Sequence, residues 1–176
     1  MRMKIYESHN GFSKRGAFFD LDGTLIRGLM IRVFRRYLAD MGKIDRKIAD
    51  KIDFIVSAYE RGEVSYPQVA RRVPALYASG IKGLRIGPMP ALVRDFVEDY
   101  VPKNLFPYSK ALLNFVKSFN LVIAISGSPQ EVVEELKAQL GFDEAYGSLF
   151  TTNRNGVYTG TVKKKSYPRK FQGEAS

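Results

Sequence analysis

No cysteine occurs in the 176 residues. Disulfides, a thiolate zinc site and a cysteine nucleophile are therefore excluded, and the composition fits a reducing compartment. Histidine is almost as scarce, the one example being His9 in a polar amino-terminal stretch. A histidine metal cluster or a Ser-His-Asp triad would have to rest on that residue alone. No run reaches the roughly 18 apolar residues of a membrane span. Met1 to Gly16 is mixed and charged, without the apolar segment of a secretory signal. The expectation is a cytoplasmic protein that makes no membrane contact. Acidic side chains are also in short supply, 18 against 28 lysines and arginines, for a formal charge of +10.

What is present is ordinary for a globular chain: 45% apolar and 26% charged residues. The length allows a real core, arranged as one compact domain with room for an inserted subdomain. The basic excess gathers at Arg32, Arg35 and Arg36, and again at Lys163, Lys164, Lys165, Arg169 and Lys170. Such charge attracts phosphorylated substrates, nucleic acid or anionic surfaces. Clustered charge without a recognition motif reads first as a solvated surface, so nucleic acid is not the favoured partner.

Along the chain, Ala17-Phe18-Phe19 forms a short apolar strand that runs into the polar loop Asp20-Leu21-Asp22-Gly23. Helical periodicity covers about 29–39, 45–61, 66–78 and 91–100, separated by Gly62, by Gly80 and Gly83, and by Gly87-Pro88-Met89-Pro90. A helix follows over 109–119. Leu121 to Ile125 is a β-branched apolar run, the pattern of a strand covered on both faces. After Ser126-Gly127-Ser128, Pro129 fits the first turn of a helix that ends at Gly141. Another strand spans about 144–149, and Asn155-Gly156 marks a tight turn between residues 150–152 and 157–161. The order predicts an α/β fold interrupted early by helices. Both polar loops follow strands, at the edge of a parallel sheet where ligands bind.

Two constellations carry chemistry. Asp20 and Asp22 are two apart, so an extended backbone turns both carboxylates to one side. A hard cation such as Mg²⁺ accepts one or two carboxylates together with a substrate phosphate. Ser126 ends the second strand, where a following helix start offers unpaired N–H groups to an anion. A plainer role for Ser126 is to cap that helix.

Phe19-Asp20-Leu21-Asp22-Gly23-Thr24-Leu25 resembles the first signature of the haloacid dehalogenase (HAD) superfamily, and Leu121 to Pro129 is similar to its second. The early helical insertion and Gly156-Val157-Tyr158-Thr159-Gly160 resemble the phosphoserine-phosphatase-like branch, subfamily IB. The resemblance implies a Rossmann-like parallel sheet core, residues 1–28 and 105–176, with an all-helical cap at 29–104. It further implies Mg²⁺-dependent hydrolysis of a small phosphorylated metabolite, phosphoserine among the options. Asp20 is then the nucleophile and Asp22 the general acid and base. The metal falls to the Asp20 carboxylate and the Asp22 main-chain carbonyl, and phosphate to Ser126 and Gly127 with Gly23 and Thr24. Arg27, Arg32 and Arg72 are cap candidates for substrate contact.

The family's lysine and its acidic Gly-Asp-x-x-x-Asp motif have no match here. After Tyr158 the only acidic residue is Glu174, and the chain ends Gly173-Glu174-Ala175-Ser176. The sequence accordingly reads as the amino-terminal portion of a longer phosphatase, unless Lys163, Lys164, Lys165 or Lys170 supplies the cation. The alternative is a non-catalytic relative that binds an acidic partner through its basic surface. Phosphoryl transfer to an acceptor other than water shares the same intermediate. Oligomeric state leaves no trace in the sequence.

Overall fold

The computed structural model describes residues 4–5 and 15–163. Its main sheet has the order β1 (Lys4–Ile5), β2 (Arg15–Asp20), β3 (Asn120–Pro129), β4 (Glu144–Ser148). β2, β3 and β4 run parallel, and β1 pairs antiparallel at the outer edge of β2. The apolar run of β3 does what its composition requires. Val122, Ile123 and Ala124 are buried, with Ala17 and Phe18 of β2 paired to Val122 and Ile123. The same register sets Asp20 beside Ile125, so both polar loops leave from one edge of the sheet.

Five helices separate β2 from β3 in the chain, and the first four are α1 (Met30–Asp40), α2 (Arg46–Glu60), α3 (Tyr66–Ile81) and α4 (Met89–Asn104). Their starts follow local chemistry. The Asp45 carboxylate accepts the Lys47 N–H at 2.8 Å, and the Gln68 side chain reaches back to the Ser65 N–H at 2.7 Å. α1 and α4 are joined by aromatic packing, Phe34 on Phe96 at 5.0 Å between ring centroids and Tyr37 on Phe96 at 5.6 Å. α4 extends past the expected end near Tyr100 and through Pro102. A proline two residues before the helix end forfeits one N–H donor, and the Leu105 N–H still closes on the Val101 carbonyl at 2.9 Å.

α5 (Ser109–Lys117) and α6 (Gln130–Leu140) flank β3, and Gly141 caps α6 at φ +75°. Here the structure departs from the expected early turn. β3 stays extended through Ser126, Gly127 and Ser128, and Pro129 precedes the helix at φ −55°, ψ 139° rather than lying in its first turn. The pairing of β3 with β4 is irregular between Ile125 and Pro129.

β5 (Phe150–Thr152) and β6 (Tyr158–Val162) form the expected hairpin, a separate two-stranded sheet. It bonds to the segment after α3: the Tyr158 N–H donates to the Leu84 carbonyl at 2.9 Å and Ile86 N–H to the Gly156 carbonyl at 2.8 Å. The Tyr158 hydroxyl donates to Glu131 at 2.6 Å, fastening the hairpin to the start of α6. One apolar cluster runs from Ala17 and Val122 through the helices to Tyr158.

The arginines of α1 are not the solvated basic face expected from sequence. Arg35 is fully buried and ion-paired with Asp53 of α2, with its Nε and Nη1 lacking hydrogen-bond partners. Arg32 and Arg36 reach the same carboxylate at 2.7 and 2.8 Å, and Arg32 also bonds Glu60 at 3.0 Å. Partial burial alone would raise the Asp53 carboxyl. Bonds from Arg35 and Arg32 and the nearby charges outweigh it and hold the group below its ordinary value. The charges are spent on each other because the α1–α2 packing brings them within reach. Of the second basic cluster, only Lys163 falls within the described residues.

Candidate functional site

Asp20 closes β2 with its side chain exposed, and the Thr24 hydroxyl donates to its Oδ2 at 3.2 Å. The chain then folds back on itself around the buried Leu21. The Leu21 carbonyl collects the N–H groups of Thr24, Leu25 and Ile26 at 3.3, 3.0 and 3.0 Å. Gly23 takes φ +73°, a conformation costly for residues with a Cβ, and its N–H meets the Ile26 carbonyl at 2.8 Å. The Leu25 carbonyl accepts both the Ser109 hydroxyl at 2.7 Å and the Phe106 N–H at 3.0 Å. The loop is thus rigidly held, and the main-chain N–H groups of Gly23 and Thr24 are engaged inside it.

Asp22 receives the densest set of donors in the site. Met30 N–H reaches its Oδ1 at 2.6 Å, while the Ser126 and Ser128 hydroxyls reach Oδ2 at 2.6 and 3.1 Å. Ser126 also accepts the Ser128 N–H at 2.9 Å. Burial raises the Asp22 carboxyl above its ordinary value. The three donors pull it down without cancelling that effect, and the neighbouring Asp20 charge adds to the rise. Such a group holds its proton to higher pH than a free carboxylic acid, which suits an acid catalyst.

Both aspartates, Ser126 and Gly127 open on one cavity of about 600 Å³. Gly127 is exposed, and a Cβ built on it would point into empty space. Ser148 of β4 also lines the cavity and donates to the Gly127 carbonyl at 2.7 Å. The far wall comes from Leu29, Ile31 and the helices α2 and α3. Among the described residues no cluster of three or more histidines and carboxylates is placed to hold a metal. Asp22's side chain is occupied by its donors, so a cation would be met by the Asp20 carboxylate and main-chain oxygen. That minimal oxygen set fits Mg²⁺, which keeps waters and shares substrate phosphate, better than an ion needing a full protein cage.

Sequence comparison decides the lineage. The profile of the haloacid dehalogenase-like hydrolase family matches residues 17–171. The chain belongs to that family. This HAD-like hydrolase is also 23% identical over 166 residues to the Streptomyces azureus "Inhibition of morphological differentiation protein". The match covers 94% of this chain and 59% of the relative. In fold it is similar to a Bordetella pertussis Tohama I protein of unknown function, with a TM-score of 0.65 and 18% identity over 84% of this chain and 65% of the other. It is likewise similar to a phosphoserine phosphatase solved as a phospho-aspartyl intermediate analogue. There the TM-score is 0.57 and the identity 19%, over 85% of this chain and 63% of the other. The HAD-like hydrolase therefore spans about three fifths of the length of these relatives.

Of the residues expected from sequence, Asp20, Asp22, Ser126 and Gly127 line one cavity, whereas Gly23 and Thr24 sit in the loop after Asp22 and are not among its lining residues. The named cap arginines do not line it either. Arg27 lies over the Phe106 ring at 4.6 Å, Arg32 is bound to Asp53 and Glu60, and the α3 arginine lining the cavity is Arg71 instead of Arg72. Ser128 and Ser148 went unassigned. The signal for Ser128 was available, because Ser126 and Ser128 are two apart on an extended strand and so share a face. Ser148 had none, since its place depends on how β4 aligns with β3. Lys164, Lys165 and Lys170 lie outside the described residues.

Proposed function

We propose that this HAD-like hydrolase is a Mg²⁺-dependent phosphomonoesterase working through an aspartyl-phosphate at Asp20. The observation that carries the reading is the pairing, on one cavity, of an exposed Asp20 with a hydrogen-bonded Asp22 whose carboxyl is raised by burial. Asp20 attacks phosphorus while the ester P–O bond breaks, and Asp22 gives its proton to the departing oxygen. Water then attacks the aspartyl-phosphate, Asp22 takes up its proton, and inorganic phosphate leaves with Asp20 restored. Mg²⁺, held by the Asp20 carboxylate and the Asp22 main-chain carbonyl, would offset repulsion between the nucleophile and the phosphate.

Ser126 and Gly127 are the phosphate donors of this reading. Gly23 and Thr24 shape the loop, and a phosphate role for the Gly23 N–H would require opening its bond to Ile26. Residues 29–104 serve as the cap over a core of 1–28 and 105–176. The likeness to a phosphoserine phosphatase caught as a phospho-aspartyl analogue supports the chemistry. Asp53 and Glu60 offset two of the three α1 arginine charges, which weakens the competing reading of a basic docking surface at that cluster.

The test is turnover of a generic aryl phosphate with Mg²⁺, with chelator, and by Asp20→Asn. Chelator-sensitive activity that the variant lacks is the expected result. Equal turnover by Asp20→Asn would overturn the assignment.

A further inference from the structure

The cavity that holds the two aspartates is lined on its helical side mainly by apolar residues, with Arg71 the charged exception among the described residues. Ile31, Val56, Val69, Val73 and Pro74 form its opposite wall, with Tyr66 at the edge. Four of these, Ile31, Val56, Val69 and Val73, are buried, although each also lines the cavity. Among the described lining residues the charged side chains are Asp20, Asp22 and Arg71, and Arg71 is itself exposed. The leaving oxygen meets Asp22, and the carbon group attached to it extends from there toward this wall.

An amino-acid phosphoester would bring an ammonium group and a carboxylate into that space. Arg71 could meet the carboxylate, but no described carboxylate apart from the two reacting aspartates lines the cavity to meet the ammonium. Setting an ammonium group against valine and isoleucine without a partner is costly. An apolar chain or ring at the same place gains by leaving water. The volume, about 600 Å³, falls within the ~300–1,000 Å³ of small-molecule sites.

We propose that this site takes phosphomonoesters whose alcohol carries an apolar chain or ring, in preference to phosphoserine. The inference rests on the phosphatase reading for its chemistry and on the helical wall for its selectivity. The wall belongs to α1, α2 and α3, which lie between the two signature strands. The polar end fixes the phosphate, and the wall selects what is attached to it.

The test is titration calorimetry on Asp20→Asn with Mg²⁺, using ethyl, butyl, hexyl and octyl phosphate, 1-naphthyl phosphate and phosphoserine. Turnover of the same esters by the unmodified chain is measured separately. Affinity should rise with each added methylene up to at least hexyl phosphate, by as much as about fourfold. That is the ratio equivalent to ~0.8 kcal/mol per buried CH₂. Ala70→Gln, at an exposed position lining the cavity, should shrink the gap between octyl and ethyl phosphate. The order of octyl and naphthyl phosphate separates a chain from a ring. A flat series with phosphoserine bound as tightly as octyl phosphate would overturn the substrate class, and turnover of phosphoserine would then leave the phosphatase reading standing. A steep series with no ester turned over would instead sink the phosphatase reading and keep the apolar pocket.

Discussion

The Ser126 hydroxyl donates a 2.6 Å hydrogen bond to the Asp22 carboxylate, joining residues 104 apart in sequence. Each residue ends up there for a local reason. Asp22 follows a strand that stops at Asp20, and Ser126 follows Ile125, the residue paired with Asp20 in the sheet. The bond ties the two signature loops before any substrate arrives. In the proposed reaction a phosphate bound at Ser126 would share or release this hydroxyl, which would link phosphate binding to the protonation of Asp22.

Burial, which the Ser126 bond only partly offsets, gives Asp22 a cost in stability. Its carboxyl is raised in the folded state, so the folded protein holds this proton more firmly than the unfolded chain. The associated stability is fully present below the ordinary carboxylate range and is lost as pH rises through the raised value. Asp22→Asn carries no such loss. Thermal melts of the two proteins should draw together near pH 3, and the variant should gain on the parent as pH climbs toward neutrality. Its turnover should fall by about 10²–10⁴-fold, the contribution typical of a general acid. Parallel melting profiles across that pH range would contradict the raised carboxyl.

Two glycines a strand apart should respond oppositely. A Cβ on Gly127 meets open cavity, whereas one on Gly147 would lie 2.8 Å from both the Gln130 Cα and the Ser128 carbonyl oxygen. Gly147→Ala should cost about 1–3 kcal/mol, as overpacking does, read as a lowered urea midpoint. Gly127→Ala should unfold like the parent yet lose activity, because its methyl group enters the space assigned to phosphate. An active Gly127→Ala would remove that residue from the phosphate site.

Asp53 should matter far more than an exposed carboxylate, because it compensates the buried Arg35. Asp53→Ala leaves that guanidinium without a counter-charge, and losses on breaking buried pairs run to ~3–5 kcal/mol. Asp53 is partly solvated, so about half of that range is expected. Its carboxyl is lowered on folding, so this stability is present above the ordinary carboxylate range and disappears as pH falls through the lowered value. Denaturation midpoints of Asp53→Ala and the parent should therefore converge in acid. A variant as stable as its parent at neutral pH would show that Arg35 finds other compensation.

Much of this is legible in the sequence. The continuous apolar runs and the helical periodicity locate the α/β order, and Asp20, Asp22, Ser126 and Gly127 belong to two short strings that do meet at one sheet edge. Local patterns carry such information because strand ends and glycine turns are set by neighbouring residues. Pairings between helices are not. The burial of Arg35 against Asp53 needs the α1–α2 crossing, and the choice of Arg71 over Arg72 needs the rotation of α3 about its axis. The apolar wall was hidden for the same reason, since Ile31, Val56 and Val73 each look like core residues until the cavity between them is seen.

The central claim is that Asp20 becomes phosphorylated, and acid-quenched peptide mass spectrometry addresses it directly. The chain is mixed with Mg²⁺ and an aryl phosphate, quenched within the first turnovers, and digested. The account expects one added phosphoryl group on the peptide carrying Asp20, lost on treatment with hydroxylamine and absent from Asp20→Asn. Ester turnover with unmodified Asp20, or a phosphoryl group that persists on Asp20→Asn, would contradict it.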